Sequence, residues 1–227
     1  MKIAELFHSI QGEGVLAGVP SLFVRTSGCN LRCRWCDTPY TSWEPEGEEM
    51  SIAEIMAWVE GFATRFVVLT GGEPMIAPGV IELTKRLRAL DRHITIETAG
   101  TVFAPVACDL MSISPKLANS TPHERAGGRW ARKHDKLRLQ PDVLRQLMEL
   151  CEYQLKFVVS APEDLDEIRT IIAGVSAEPD HVLLMPEGTT PDTLRERGRW
   201  LAEICKTEGF RYGPRLQIEL WGDRRGV

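Results

Sequence analysis

The sequence has no apolar run approaching the roughly 20 residues of a membrane-crossing helix, and its start, Met1-Lys-Ile-Ala-Glu-Leu-Phe-His8, lacks the apolar core of a signal peptide. There is no surplus of positive charge either. The 27 Lys and Arg stand against 32 Asp and Glu, a net charge of −5, so nothing pulls the chain generally toward nucleic acid or acidic membranes. No internal repeat or low-complexity tract is present. At 227 residues there is room for one well-packed core but not for two ordinary domains. These absences predict a soluble cytoplasmic protein with a single core domain spanning 1–227, in a compartment where thiols stay reduced and free to ligate metal.

What the chain does contain is a group of three cysteines, Cys29, Cys33 and Cys36, in the spacing Cys-x3-Cys-x2-Cys with Trp35 before the last thiol. Three close thiolates hold three corners of a four-iron, four-sulfur cluster, whereas fully protein-held clusters normally use four cysteines. One iron is then left open for a ligand that is not protein. A structural zinc site wants four ligands, usually as two pairs, and neither Asp37 nor His8 supplies a second pair. A disulfide would leave one thiol over. Cys108, Cys151 and Cys205 are isolated among apolar residues and read as small buried hydrophobes.

Apolar strand-like runs alternate with amphipathic helical ones. Strands are predicted at 21–25, 66–70, 93–97, 109–114, 153–160, 181–185 and 217–220, and helices at 52–62, 78–90, 141–150, 162–173 and 191–206. Ser51 and Glu54 form a capping box at the start of the first helix. The alternation argues an α/β fold with a parallel sheet and right-handed crossovers. With about six units against the eight of a full barrel, the expectation is a partial (β/α)6-type open barrel.

Polar or glycine-rich punctuation follows the strands at Cys29, Gly71-Gly-Glu-Pro74, Glu97-Thr-Ala-Gly100, Ser114-Pro-Lys116 and Met185-Pro-Glu-Gly188. In parallel α/β folds the C-terminal strand ends share one face, where sites are built, so these patches are expected on one rim. The basic stretch from Arg125 to Arg138 is interleaved with Asp135 and a Gly-Gly pair, and reads as a solvated loop rather than a nucleic-acid patch.

The cysteine spacing followed by Gly-Gly-Glu-Pro is similar to the radical S-adenosylmethionine superfamily. Ile10-Gln-Gly-Glu-Gly14, Phe23-Val-Arg25, Cys36-Asp-Thr-Pro39, Thr70-Gly-Gly-Glu-Pro74, Glu97-Thr-Ala-Gly100, Ile113-Ser-Pro-Lys116 and Leu220-Trp-Gly-Asp-Arg-Arg-Gly-Val227 occur in that order. Together they resemble the 7-carboxy-7-deazaguanine synthase family over essentially the whole chain.

That resemblance implies a carbon–nitrogen lyase of queuosine biosynthesis, a tRNA modification pathway, in which 6-carboxy-5,6,7,8-tetrahydropterin becomes 7-carboxy-7-deazaguanine with loss of ammonia. It implies a 4Fe-4S cluster whose open iron chelates S-adenosyl-L-methionine, and a 5′-deoxyadenosyl radical that takes hydrogen from the pterin, the cofactor bringing the hard chemistry. Mg2+, an external electron donor such as flavodoxin or ferredoxin, and a homodimer belong to the same expectation. Nucleic acid and membrane are not expected as partners.

The resemblance also places roles on residues. Cys29, Cys33 and Cys36 would hold the cluster, and Thr38 would hold Mg2+ through its hydroxyl. Trp35, Cys36, Asp37, Gly72, Glu73, Ser114, Pro115 and Lys116 would contact S-adenosylmethionine, as would Met185, Pro186, Glu187 and Gly188 through the main chain. Ile10, Gln11, Gly12, Glu13, Arg25 and Thr70 would line the substrate pocket, with Arg25 on the substrate carboxylate. Val227, Asp109 and His123 are assigned no role. A glycyl-radical-enzyme activase shares the cysteine spacing and Gly-Gly-Glu-Pro, but Gln-Gly-Glu-Gly and Ser-Pro-Lys argue against it. A metal-binding sensor would present a basic surface and a fully ligated metal.

Overall fold

Apolar runs bounded by turn residues become the strands of one nine-stranded sheet in the structure, a computed structural model that describes residues 1–227. In chain order the elements are β1 (Lys2–Ile10), β2 (Pro20–Thr26), α1 (Pro39–Ser42), β3 (Glu48–Glu49), α2 (Ile52–Glu60), β4 (Phe66–Gly71), α3 (Val80–Ala89), β5 (His93–Thr98), β6 (Leu110–Ile113), α4 (Ala131–Arg138), α5 (Pro141–Met148), β7 (Glu152–Val159), α6 (Asp164–Val175), β8 (Val182–Pro186), α7 (Pro191–Glu208), β9 (Arg211–Tyr212) and α8 (Leu216–Trp221). The strand order is β3-β1-β2-β4-β5-β6-β7-β8-β9, with β1 and β3 antiparallel at one edge and every pair from β2 to β9 parallel. The two edges do not meet. The α/β architecture is therefore an open sheet of the expected kind.

Local chemistry sets the boundaries. Ser51 Oγ accepts from the Glu54 backbone N–H while the Glu54 carboxylate accepts from the Ser51 N–H, so the capping box starts α2. Thr190 caps α7, Pro191 sits at its first position, and left-handed Gly209 ends it.

The strands alternate, and this positions everything that follows. Leu22, Val24, Leu69, Ile96, Ile113, Leu155 and Phe157 belong to a core of 33 buried residues packed under the helices, each fully buried side chain of this size contributing about 1.5–3 kcal/mol. Their neighbours Arg25, Thr70, Glu97, Ser112 and Lys156 point to the opposite face, because successive strand residues do. One face of the sheet is core; the other is the wall of a cavity.

Three expectations are corrected. The run 217–220 is the helix α8, not a strand: Ile218 is buried while Leu220 is 57% exposed, which one helical turn accommodates. The first ten residues, given no element from sequence, form β1, whose Ile3 joins the main core and whose Phe7 ring, on the cavity face, stacks on Phe23 at 4.7 Å. The basic stretch 125–138 is not a loop throughout. It folds into α4 because His134 is buried and Leu137 packs against the cysteine loop.

Candidate active site

A cavity of about 490 Å3 opens on the face of the sheet away from the core, a volume suited to a small molecule and its cofactor. On one side the loop between β2 and α1 brings Cys29, Cys33 and Cys36 to the wall. Apolar packing from Leu31, Ala99, Trp35 and Leu137 surrounds the thiols. Burial, with the Glu73 carboxylate adding to it, pushes the Cys29 thiol up to about 12, and burial raises Cys33 further. Such dry thiols ionise readily only beside a cation. No three His, Cys, Asp or Glu side chains are grouped as a single-ion site.

The loop is held from several directions. Gly28 N–H donates to Thr41 O at 2.8 Å, and Glu73 N–H donates to Gly28 O at 2.9 Å. Trp43 Nε1 donates to Cys33 O at 3.0 Å, Trp35 Nε1 to Asn119 Oδ1 at 3.2 Å, and Arg32 N–H to His134 Nδ1 at 3.1 Å. Gly72 is glycine for a packing reason: a Cβ there would lie 2.2 Å from Gly28 O and 2.6 Å from Thr41 O.

Opposite the thiols lies a network of buried charge. Glu13 Oε2 receives Lys156 Nζ at 2.6 Å, and Glu13 Oε1 receives Arg215 Nε at 3.1 Å and Gln217 Nε2 at 2.8 Å. Arg215 also pairs with Asp37, beside Cys36, and donates to Gly188 O at 2.6 Å. Burial alone would raise the Glu13 carboxyl, but Lys156 and Arg215 hold it well below the usual carboxylate range. Burial would likewise depress Lys156, yet Glu13 and Glu97 lift it above the ordinary lysine value. Glu13, Lys156 and Arg215 are therefore held in their charged forms. Glu97 extends it, accepting from Thr70 Oγ1 at 2.8 Å and Gln11 Nε2 at 3.2 Å.

Most of the expected residues converge on this cavity: Ile10, Gln11, Gly12, Glu13, Arg25, Cys29, Cys33, Trp35, Cys36, Asp37, Thr38, Thr70, Gly72, Ser114, Lys116, Met185 and Glu187 all line it. Glu73, Pro115, Pro186 and Gly188 do not. Glu73 is wholly buried behind the wall, its oxygens taken by Thr98 Oγ1 at 2.8 Å, Ala99 N–H at 2.9 Å and Met75 N–H at 3.1 Å. Burial outweighs those bonds and raises its carboxyl. Its carboxylate braces the end of β5. Pro186 closes β8 and Gly188 lends only its carbonyl to Arg215.

Several lining residues escaped sequence reasoning. Glu97 was visible only as strand-end punctuation. Lys156 sits in an apolar strand, where the polar-apolar alternation of Leu155-Lys-Phe157 was the available signal. Arg215 and Gln217 carried none. Gln11, expected to offer its amide to a ligand, spends it on Glu97 and on the Glu13 N–H at 3.1 Å. Gln217 has the buried acceptor without a partner, Oε1, on the cavity wall. Residues 223–227, Val227 included, line the cavity too.

Comparison with known proteins decides the family. Residues 23–118 match the radical S-adenosylmethionine superfamily. A 7-carboxy-7-deazaguanine synthase from Rhodopirellula baltica is 45% identical over 99% of this chain and 88% of its own length. The synthase from Halobacterium salinarum is 46% identical over 98% and 91%. The chain belongs to the 7-carboxy-7-deazaguanine synthase family. The crystal structure of QueE from Escherichia coli aligns with a TM-score of 0.68 at 26% identity, covering 93% of this chain and 92% of that one. Streptococcus suis SuiB bound to S-adenosylmethionine shares the fold alone, with a TM-score of 0.56 at 12% identity over 86% of this chain and 48% of that one.

Membership in this family carries a 4Fe-4S cluster and S-adenosylmethionine, and the donor set fits. Three thiols reach one wall without forming a single-ion site, and no fourth cysteine stands with them, since Cys108, Cys151 and Cys205 lie in or against the main core. No helix is long and apolar enough to cross a membrane.

Proposed function

We propose that this synthase-family chain converts 6-carboxy-5,6,7,8-tetrahydropterin to 7-carboxy-7-deazaguanine with release of ammonia. The observation that carries the reading is the convergence, in one cavity, of the cysteine loop, Arg25 and the Gln-Gly-Glu-Gly loop. Arg25 Nε lies 2.8 Å from Glu5 Oε2, and Tyr40 O–H fixes the same oxygen at 2.8 Å. That contact orients the guanidinium and leaves its terminal nitrogens for a substrate carboxylate, a forked charge-assisted pair. Across the cavity, Gln217 Oε1 would accept from the amino edge of the pterin, satisfying an otherwise orphaned acceptor. Thr70, paired in register with Arg25, would touch the ring between them.

Bound cluster and S-adenosylmethionine supply a hydrogen-abstracting radical. The chain's part is to orient and to exclude. Lys116, held by Ser114 O at 2.9 Å and Oγ at 2.7 Å, lies 5.8 Å from the Trp35 ring and would flank the cofactor with it. The ionised Glu13–Lys156–Arg215 network would present tightly paired polar groups rather than loosely held hydrogens beside the substrate loop. Thr38, its hydroxyl on the wall 3.8 Å from Cys36 Sγ, would give Mg2+ one protein oxygen, the rest coming from substrate and water. An external one-electron donor such as flavodoxin or ferredoxin and a homodimer complete the proposal.

The test is anaerobic. Protein reconstituted with iron and sulfide is incubated with reductant, S-adenosylmethionine, Mg2+ and the carboxy-tetrahydropterin, and 7-carboxy-7-deazaguanine is the expected product. An intact cluster spectrum without that product would overturn the reading. Cys33→Ala should lose the cluster, and Thr38→Ala should lose the response to Mg2+ while keeping it. Light scattering checks the dimer.

A further inference from the structure

The surface outside the cysteine loop gathers cations that have no ion-pair partner. Many exposed cations elsewhere are neutralised on their own elements or by close neighbours: Arg86 by Glu82, Arg145 by Asp142, Arg169 by Glu208, Arg195 by Asp192 and Lys206 by Glu203; the unpaired Arg65, Lys85, Arg199, Arg211 and Arg224 lie singly on separate elements. Arg32, Arg34, Arg125, Arg129, Arg132 and Lys133 form no ion pair, although the chain as a whole is at −5. Two indole rings order four of them. Arg32, Arg129 and Lys133 lie 4.9, 5.5 and 5.6 Å from the Trp130 centroid, and Arg125 lies 4.1 Å from that of Trp43. Cation–π stacking fixes a cation's position without cancelling its charge.

This positive collar is bonded directly to the metal-binding loop. Trp43 Nε1 donates to Cys33 O at 3.0 Å, Arg125 Nη1 to Arg34 O at 3.1 Å, and Arg34 N–H to Ser120 O at 2.8 Å. It lies on the outer side of the loop, whereas the thiols face the cavity. A preformed positive face on an anionic protein steers a negatively charged partner, and its position brings that partner to the redox group rather than to the substrate.

We propose that the collar of Arg32, Arg34, Arg125, Arg129, Arg132 and Lys133 docks an acidic protein carrying single electrons, and so is the entry face for the electron the site consumes. This rests on the reading of the three cysteines as a cluster site. The step is one electron transfer, the carrier oxidised and the cluster reduced, with no bond made or broken.

The triple variant Arg129→Glu, Arg132→Glu, Lys133→Glu changes only side chains outside the cavity. Reconstituted wild type and variant are titrated with a flavodoxin at low and high salt, and cluster reduction is followed after mixing with the reduced flavodoxin or with dithionite. Expected are a dissociation constant raised at least about 10-fold, a wild-type salt dependence that flattens in the variant, and slower reduction by flavodoxin alone. Unchanged flavodoxin affinity, no binding by wild type, or equal slowing with dithionite would overturn the proposal. So would loss of transfer-RNA binding with flavodoxin binding intact, which would make the collar a nucleic-acid site. Wild type that binds and accepts electrons yet forms no deazaguanine with dithionite would count against the synthase reading and not against the docking face.

Discussion

Glu13 and Arg215 are separated by 202 residues and meet at 3.1 Å in the wall of the cavity. One is in the loop after the first strand; the other opens the last helix. Their pair closes the cavity from both ends of the chain, and Arg215 ties it to the cysteine loop through Asp37.

Breaking that pair should be costly. Arg215→Ala leaves the Glu13 carboxylate facing a buried gap, and removal of one member of a buried pair typically costs about 3–5 kcal/mol. Urea denaturation of the apoprotein measures it. Lys156 still compensates Glu13, so the low end of that range is expected, and a loss under about 1 kcal/mol, the range of an exposed pair, would show that Lys156 alone suffices.

Acid should loosen the cysteine loop through His134. Burial, reinforced by Arg138 and Lys116 against the opposing pull of Asp135, lowers its pKa from 6.5 to about 4. Its Nδ1 must stay unprotonated to accept the Arg32 N–H, while Nε2 meets Ser120 Oγ at 2.9 Å. A depressed histidine favours folding fully above 6.5, and that contribution is lost as pH falls from 6.5 toward 4. Wild type should therefore lose about 2 kcal/mol more than His134→Gln on going from neutral pH into this window. Denaturant midpoints of the two proteins at each pH give the difference.

Gly72→Ala should disturb the site through the backbone behind it. The new methyl would press on two backbone oxygens, Gly28 O and Thr41 O, and such overpacking costs about 1–3 kcal/mol. A lower melting temperature with reduced iron content after reconstitution is expected. Full iron loading at wild-type stability would show that the strand-to-loop junction yields easily.

Arg25→Lys keeps the charge and removes the fork. If the guanidinium holds the substrate carboxylate, the loss is about 1.5–3 kcal/mol, roughly 10- to 100-fold in KM with kcat largely kept. Steady-state kinetics against the pterin separates this from a structural effect, which would lower kcat and the melting temperature together.

Much of the site is legible where the information is local. The cysteine spacing, the capping box at Ser51 and Glu54, the proline-led helices and the glycine turn after Thr70 each act within a few residues. Arg25 and Thr70 reach the cavity wall because strand alternation puts each opposite an apolar neighbour, Val24 and Leu69. The Gly-Gly-Glu-Pro turn is legible after Thr70, but the burial of the Glu73 carboxylate against Thr98 and Ala99 is not, because those partners come from the neighbouring strand. The basic stretch misleads for the reverse reason: its charges are exposed, but His134 and Leu137 between them face the cysteine loop and make it a helix.

The amino-acid sequence by itself determined the reagent, three thiols and no fourth, and the alternating strands that carry the rim. Short-range sterics and side-chain-to-backbone bonds suffice for these. Only the tertiary structure decided which polar groups face one another: Glu13 with Lys156 and Arg215, Gln217 with its open acceptor, and the cation collar over the cysteines. A buried charge is tolerable only where packing delivers its partner. No local pattern encodes a partner two hundred residues away.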